Sequence, residues 1–309
     1  MGLTFPIVDA LVRERVHRPL TGDVLLIGRQ AVYFTPADIL SLLRWHGIDV
    51  RGASERDIEI DRSTHNRYAK IAVTDPITDR ALFRLLGVPR VTALDHSDYE
   101  GAEIIHDLTK PVPPGLRNVA DLIVDGSTLD NVFDPAMVIR NFADMLRPGG
   151  RLLTCNVYSN HHEPYAMLPP LWFLDYFVAN GFADCKVYIL VGTTPPNTFT
   201  IDIEALLDPT RHVSAFASPF EMSTLVLAEK DEHSSSDVNP AQQHYRSQED
   251  WARYRQALQR LKANPRPHIA RSRGDITFFD VRGGHLFMDG DYIARDPLSE
   301  IRRLHPEFR

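Results

Sequence analysis

Short apolar runs that alternate with helix-forming segments constrain the fold of this 309-residue chain more than any other feature. The runs are rich in Val, Ile and Leu and end at glycine or polar residues, which is typical of strands buried on both faces of a sheet. They occupy residues 24–27, 91–94, 120–126, 151–157, 185–191 and 222–228. This alternation predicts an α/β fold with a doubly wound, mostly parallel sheet covered by helices on both faces.

The segments between the runs carry helix start and stop signals. Thr35 is a good N-cap because Pro36 occupies the first helical position after it. Asp-Pro pairs at 75–76 and 134–135 also predict helix starts, and Gly87 and Gly181 predict helix ends. We therefore predict helices at 9–18, from 35 to about 45, from 75 to 86, from 134 to 146 and at 170–180.

Changes in composition divide the chain into three parts. Residues 1–230 form the predicted Rossmann-like domain, in which the polar segment 48–70 has no sustained periodicity and is interpreted as an insertion. Residues 231–246 are predicted to be a linker, and 247–309 a helical and hairpin extension. The extension helix is predicted to be capped by Ser247 and Asp250 and to dock through Trp251 and Tyr254, either on the main domain or on a second copy in a homo-oligomer. A hairpin is predicted around Gly283-Gly284 and Asp289-Gly290.

The charge balance argues against nucleic-acid binding. Lys and Arg total 34 against 41 Asp and Glu, the net charge is −7, and no five basic residues are consecutive. No run of 18 apolar residues or signal-peptide pattern is present, so we predict a cytoplasmic protein with no membrane partner. Cys155 and Cys185 lie in apolar runs, which favours buried, reduced thiols.

Residues that directly follow strands are the candidates for ligand binding, because ligands of open α/β sheets bind outside the carboxyl ends of the strands. Four such segments carry glycine or polar side chains. They are Gly28-Arg29-Gln30, Asp95-His96-Ser97-Asp98-Tyr99, His106-Asp107-Leu108 and Asp125-Gly126-Ser127-Thr128.

The order of these segments resembles the class I S-adenosylmethionine-dependent methyltransferases over residues 23–230. The sequence is similar to a group of methyltransferase-like proteins with a G-R-Q turn, a D-x-S-D-Y-E-G-A motif and an I-I-H-D-L motif, which occur here at 28–30, 95–102 and 104–108. The R-P-G-G turn at 147–150 resembles the family's crossover between its fourth and fifth strands. The family implies S-adenosylmethionine as the cofactor.

The resemblance implies a role for each segment in cofactor binding. The turn of Gly28, Arg29 and Gln30 would approach the amino-acid part of the cofactor. Asp95, with His96 and Ser97 beside it, would accept hydrogen bonds from the ribose hydroxyls. Asp107 and Leu108 would border the adenine, and Asp125 would face the reactive centre.

The glycine turn departs from the family's G-x-G-x-G pattern, since Arg29 and Gln30 stand where small residues are expected. Asp95 lies 95 − 28 = 67 positions after Gly28, against about 20 between glycines and acid in the dinucleotide fingerprint. This spacing argues against a nicotinamide enzyme. The isolated glycine leaves open whether the turn still accepts the cofactor.

Candidates for a catalytic base follow the fourth and fifth strands of the predicted fold. They are Asp125, His161 and His162. We predict no metal site, because consecutive histidines on an extended chain point in different directions and magnesium prefers oxygen ligands.

Methyl transfer to a small-molecule or sugar-like acceptor is the leading functional hypothesis from the sequence. Two alternatives remain open at this stage. The chain could be a non-catalytic binding or assembly subunit that keeps the fold, or an enzyme that uses another nucleotide on the same type of sheet.

Overall fold

The computed structural model describes residues 2–62, 73–88, 90–159, 162–191, 197–200, 221–263, 279–282 and 285–288, and the statements that follow concern these ranges. Most of their strands form one eight-stranded sheet. In chain order the strands are β1 Gly2–Leu3, β2 Asp23–Ile27, β3 Ala31–Val32, β4 Arg90–Asp95, β5 Ile104–Ile105, β6 Ala120–Asp125, β7 Leu146–Ser159, β8 Asp184–Val191, β9 Asn197–Thr200, β10 Met222–Glu229, β11 Phe279–Arg282 and β12 His285–Met288.

The large sheet has the order β5-β4-β2-β6-β7-β10-β8-β9. The five strands from β5 to β7 are parallel, whereas β10 is antiparallel to β7 and β8. The chain runs outward from β2 through β4 to β5 and then returns to the other side of β2 to form β6 and β7. The strand order therefore reverses between β2 and β6, which is where open α/β sheets bind their ligands.

Helices cover both faces of the sheet. They are α1 Phe5–His17, α2 Pro36–Trp45, α3 Asp79–Leu85, α4 Pro135–Met145, α5 Pro170–Ala179 and α6 Gln248–Ala263. On one face Leu11, Leu40 and Phe83 of the first three helices belong to one buried cluster. On the other face Phe142 and Phe173 belong to a second cluster. The predicted doubly wound, mostly parallel α/β class is confirmed.

Local capping explains where the helices begin. Thr35 and Asp38 form a complete capping box at α2, and the Asp134 side chain accepts a hydrogen bond from the Met137 amide at α4. The predicted start of α3 at Asp75 is wrong: Thr78 is the N-cap, because its hydroxyl accepts a hydrogen bond from the Ala81 amide at 3.0 Å. Asp75 has a φ of 53°, which places it outside the helical region.

The segment predicted to be a linker is hydrogen-bonded to the end of α5. The Asn180 side chain donates to the Val238 carbonyl at 3.0 Å and accepts from the Val238 amide at 3.0 Å, and the Ser235 amide donates to the Asn180 carbonyl at 2.9 Å. Backbone groups of this segment thus stabilise its packing against the main domain.

The extension helix α6 docks on α5. The Ser247 hydroxyl and the Asp250 carboxylate form the predicted cap, and the Tyr254 hydroxyl donates to the Asp175 carbonyl at 3.2 Å. Arg246 stacks on the Tyr254 ring and forms an ion pair with Asp175 at 2.6 Å. The helix therefore docks on the main domain, which is one of the two predicted possibilities. β11 and β12 pair antiparallel, as the predicted hairpin requires, while positions 283–284 and 289–290 lie outside the described residues.

Several short elements are absent from the sequence predictions. β1 pairs in parallel with β3, and β9 lies at the edge of the sheet beside β8. Strands of two to four residues carry too little periodicity to be recognised. Cys155 and Cys185 are both free and buried, as predicted. Among the described residues, no helix combines the length and hydropathy needed to cross a bilayer.

Candidate functional site

The turn after β2 brings three predicted segments together. Gly28 has a φ of 71°, a conformation that glycine adopts without strain, and its amide donates to the Leu94 carbonyl at 2.7 Å. A Cβ atom built on Gly28 would lie 3.5 Å from Oδ2 of Asp95, 3.6 Å from Oγ1 of Thr128 and 3.8 Å from Nε2 of Gln30. The backbone conformation therefore favours glycine here, and the surrounding side chains converge on it.

Asp95 presents a carboxylate oxygen to this turn. Its Oδ1 accepts a hydrogen bond from the His96 amide at 2.6 Å, and Oδ2 has no hydrogen-bond partner among the described residues. The side chain is partly exposed, while His96 and Ser97 that follow it are exposed. The segment thus offers an open hydrogen-bond acceptor beside Gly28, with polar residues at its rim.

The predicted adenine-binding segment lies next to Asp95. The His106 amide donates to the Asp95 carbonyl at 2.9 Å, which fixes residues 106–108 alongside β4. Oδ1 of Asp107 accepts hydrogen bonds from the hydroxyl and amide of Thr109 at 2.7 and 2.9 Å, and these bonds lower the pKa of Asp107. Leu108 is buried in the hydrophobic core. Asp95 and Asp107 are therefore held on neighbouring segments.

Arg29 and Gln30 occupy different environments, although the sequence groups them. The Arg29 guanidinium forms ion pairs with Asp79 at 3.2 Å and Glu103 at 2.5 Å. The Gln30 side chain instead folds back over the turn, where Nε2 donates to the Ile27 carbonyl at 2.6 Å. Of the two side chains, Gln30 is the one placed between the ends of β2 and β6.

Asp125 ends β6 in a closed hydrogen-bond network. Its Oδ1 accepts from the Thr128 amide at 2.7 Å, and Oδ2 accepts from the Thr154 hydroxyl at 2.6 Å and the Asn156 amide group at 3.2 Å. The side chain is 0% exposed. Burial raises its pKa to about 6, helped by the charge of Asp130 and opposed by the hydrogen bonds. The structure places this predicted catalytic residue beneath the surface.

Asp130 is a second buried carboxylate that the sequence did not single out. It accepts hydrogen bonds from the Ser127 hydroxyl at 2.7 Å and the Val157 amide at 2.6 Å. Together with Asp125 it holds the loop after β6 against β7. Asp130 carries no strand-end signal in the sequence, and its partner Val157 is distant along the chain.

Of the two candidate histidines, His162 is exposed on the loop after β7, and His161 lies outside the described residues. Asp125 is buried under the loop after β6, so its carboxylate and the exposed His162 lie in different environments.

Exposed apolar side chains rim the loops after β6 and β7. Phe133 is 83% exposed and Tyr165 is 73% exposed, and their rings meet edge to face at 5.7 Å. Met167 beside them is also exposed. The Ala166 amide donates to the Asp130 carbonyl at 3.1 Å, which ties the two loops together. This cluster of exposed apolar side chains is a candidate binding surface.

Comparison with known proteins gives structural similarity only. No protein-family model and no curated protein matches the chain. Solved structures that resemble it include the CMeT domain of the citrinin polyketide synthase (13% identity, TM-score 0.38) and Haemonchus contortus phosphoethanolamine N-methyltransferase 2 in complex with S-adenosyl-L-methionine (11%, 0.37). A third is an S-adenosylmethionine-dependent methyltransferase from Archaeoglobus fulgidus (11%, 0.33).

The matches cover 74, 72 and 74% of this chain and 52, 52 and 95% of those proteins, so the chain matches about half the length of the first two. The strand order of this chain defines its fold: a Rossmann-like, doubly wound sheet, to which the described residues add a C-terminal helix and a hairpin.

Proposed function

We propose that this chain binds S-adenosylmethionine at the carboxyl ends of β4, β2 and β6 and transfers its methyl group to a small neutral acceptor. The pairing of Gly28 with Asp95 carries the proposal. A left-handed glycine turn lies beside a carboxylate with an open oxygen, next to the point where the strand order reverses. This is the position at which open α/β sheets bind nucleotides.

Asp95 is the residue that would hold the ribose. An ionised carboxylate accepts hydrogen bonds through both oxygens and donates none, so it suits a vicinal diol with two donors. Oδ2 of Asp95 is open, and Oδ1 is engaged by one backbone amide. The acceptor oxygens of Asp95 therefore fit the ribose hydroxyls of the cofactor, with His96 and Ser97 at the edge of the site.

Asp107 and Leu108 would border the adenine. The hydrogen bonds from Thr109 keep the Asp107 carboxylate ionised as an acceptor, because they stabilise its charged form. Such a carboxylate accepts a hydrogen bond from an amino group on a purine ring. Leu108 belongs to the apolar core beneath this segment.

Positioning of the acceptor is the main task left to the protein. When bound, S-adenosylmethionine supplies an electrophilic methyl group on a sulfonium, whose sulfur becomes a neutral thioether. The chain's own residues need to hold the acceptor in line and take up any proton that it loses. Because its hydrogen-bond donors enclose Asp125, we propose that His161 or His162 takes up the proton that the acceptor loses.

The rim of Phe133 and Tyr165 suggests the class of acceptor. Residues 126–139 comprise the loop after β6 and the start of α4, and residues 152–169 comprise the end of β7 and the sequence that follows it; neither range contains Lys or Arg. Within these ranges a phosphate or carboxylate group would find no lysine or arginine partner. A neutral small molecule or a sugar ring with an apolar face fits the exposed ring pair better, because it stacks on the rings without requiring a counter-charge.

The test is calorimetric titration of the full chain with S-adenosylmethionine, S-adenosylhomocysteine, NAD and UDP-glucose. The proposal predicts micromolar binding of the two adenosyl ligands and none of the others. Binding of NAD or UDP-glucose in their place would indicate a different nucleotide enzyme.

A non-catalytic binding subunit is the second candidate. The observation that favours it is the Gln30 side chain, which lies between the ends of β2 and β6. If none of the four ligands binds, this second candidate replaces the first.

A further inference from the structure

The Gln30 side chain is buried where β2 and β6 end. It is 6% exposed, and its Nε2 donates to the Ile27 carbonyl at 2.6 Å and to the Gly28 carbonyl at 3.3 Å. Both carbonyls belong to the turn that leads out of β2. The amide thus occupies the point next to Gly28 at which the strand order reverses.

Gly126 at the end of β6 leaves space for this side chain. A Cβ atom built on Gly126 would lie 2.2 Å from Oε1 of Gln30 and 3.6 Å from the backbone of Gly2. A residue larger than glycine would displace the Gln30 amide. The side chain is consequently packed between two glycines, Gly28 and Gly126, rather than extended over the surface.

Oε1 of Gln30 is a buried acceptor with no hydrogen-bond partner among the described residues. A buried polar atom that lacks a partner loses its interaction with water and gains nothing in return. The amide is therefore satisfied on its nitrogen side only. Such an incompletely satisfied group is displaced more easily than one with all its hydrogen bonds formed.

The two carbonyls that bind Nε2 have the chemistry of an ammonium site. A primary ammonium offers three N–H donors and no acceptor, as in a lysine side chain. The amide nitrogen of Gln30 donates to the carbonyls of Ile27 and Gly28 at the end of the crevice, and the Ile27 carbonyl also accepts a hydrogen bond from the Thr128 hydroxyl at 2.9 Å.

We infer that the Gln30 carboxamide is an internal competitor for the amino-acid end of the cofactor. The inference rests on the proposed function, in which the adenosyl ligand binds beside Gly28 and Asp95. The amino group of that ligand and Nε2 of Gln30 require the same carbonyl acceptors, so the ligand binds fully only when the Gln30 side chain has moved out. Its apparent affinity is reduced by the fraction of molecules in which the crevice is closed.

The experiment compares the full chain with Gln30→Ala by calorimetric titration. Two ligands are used: S-adenosylhomocysteine, which has the amino-acid end, and 5′-methylthioadenosine, which lacks it. We expect Gln30→Ala to bind S-adenosylhomocysteine about tenfold more tightly, which corresponds to about 1.4 kcal/mol. The affinity for 5′-methylthioadenosine is expected to stay unchanged, because that ligand does not reach the two carbonyls.

Gln256→Ala is the matched control. It removes the same type of side chain from an exposed position on α6, outside the proposed site. Its affinity for S-adenosylhomocysteine is expected to equal that of the unmodified chain. Circular dichroism checks folding, and Gln30→Ser replaces Gln30→Ala if the alanine variant does not fold.

Three outcomes overturn the inference. Equal or weaker binding of S-adenosylhomocysteine by Gln30→Ala would show that Gln30 does not compete, and would leave the cofactor proposal intact. Equal tightening for both ligands would show a general opening of the crevice instead of competition for the carbonyls. Failure of every variant to bind either ligand would refute the cofactor proposal itself, and the inference with it.

Discussion

Asp95 and Asp125 end the two strands that flank β2, yet their environments are opposite. Asp95 is partly exposed, accepts one described hydrogen bond and keeps one oxygen open. Asp125 is fully buried and accepts hydrogen bonds from Thr128, Thr154 and Asn156. An acid at the end of a strand therefore has no fixed role, because donors from its own loop and from the neighbouring strand together decide whether it meets solvent.

The chain that follows each acid contributes to this difference. After Asp125, Gly126 and Ser127 turn the backbone back so that the Thr128 amide reaches the carboxylate. After Asp95 the chain runs outward through exposed polar residues. The first half of the sheet edge is therefore open to a ligand, while the second half is closed and stabilises the loop after β6.

Loss of stability in Asp125→Ala is the largest effect that this comparison predicts. The substitution removes the acceptor of three donors, two of them on β7, and leaves polar groups buried without partners. We expect the free energy of unfolding to fall by about 3 to 4 kcal/mol. Urea denaturation measures it, with Asp95→Ala as the matched carboxylate, for which we expect a loss below about 1 kcal/mol. Equal losses would break the comparison.

A pH dependence of stability follows from the raised pKa of Asp125. Burial raises this pKa from 3.8 to about 6, so between these values the folded state binds a proton that the unfolded state has released. The stabilising contribution is present below about pH 4 and is lost as the pH rises through about 6. Relative to Asp125→Asn, the unmodified chain is expected to lose roughly 2 kcal/mol of unfolding free energy between pH 4 and 7. Parallel pH profiles of the two proteins would contradict this assignment.

The sequence predicted the regular part of the fold because its signals are local. The caps at Thr35, Asp134 and Ser247 lie within three residues of their partners. The longer strands are recognised by composition alone, whereas the short strands β1, β3, β5 and β9, of two to four residues, are not. The start of α3 was mistaken because Asp75-Pro76 has the composition of a helix start, whereas Thr78 supplies the hydrogen bond.

The candidate site was only partly predictable, because several of its contacts join residues that are distant along the chain. Gly28, Asp95 and Asp107 were found by their positions after strands. The burial of Asp125 depends on Thr154 and Asn156, which are 29 and 31 residues away. The place of Gln30 depends on Gly126, which belongs to another strand end. A sequence pattern without pairing information does not contain these contacts.

The exposed rings on the closed half give the smallest expected effect on stability. Phe133 and Tyr165 contact each other at the surface, so Tyr165→Ala is expected to change the unfolding free energy by less than about 0.5 kcal/mol. We instead expect the KM for the acceptor to rise several-fold while kcat stays nearly unchanged, because the ring pair contributes to acceptor binding more than to the chemical step. Tyr245→Ala removes an equally exposed ring elsewhere and is the control. A fall in kcat alone would argue against a docking role.

The affinity of Asp95→Ala for S-adenosylhomocysteine tests the central claim most directly. Asp98→Ala removes an exposed carboxylate from the same loop and matches it in charge. Loss of charge-assisted hydrogen bonds to the ribose is expected to weaken binding to Asp95→Ala by about ten- to a hundredfold. Asp98→Ala is expected to bind like the unmodified chain. Undiminished binding by Asp95→Ala would contradict the account, because the open half of the sheet edge would then not be the cofactor site.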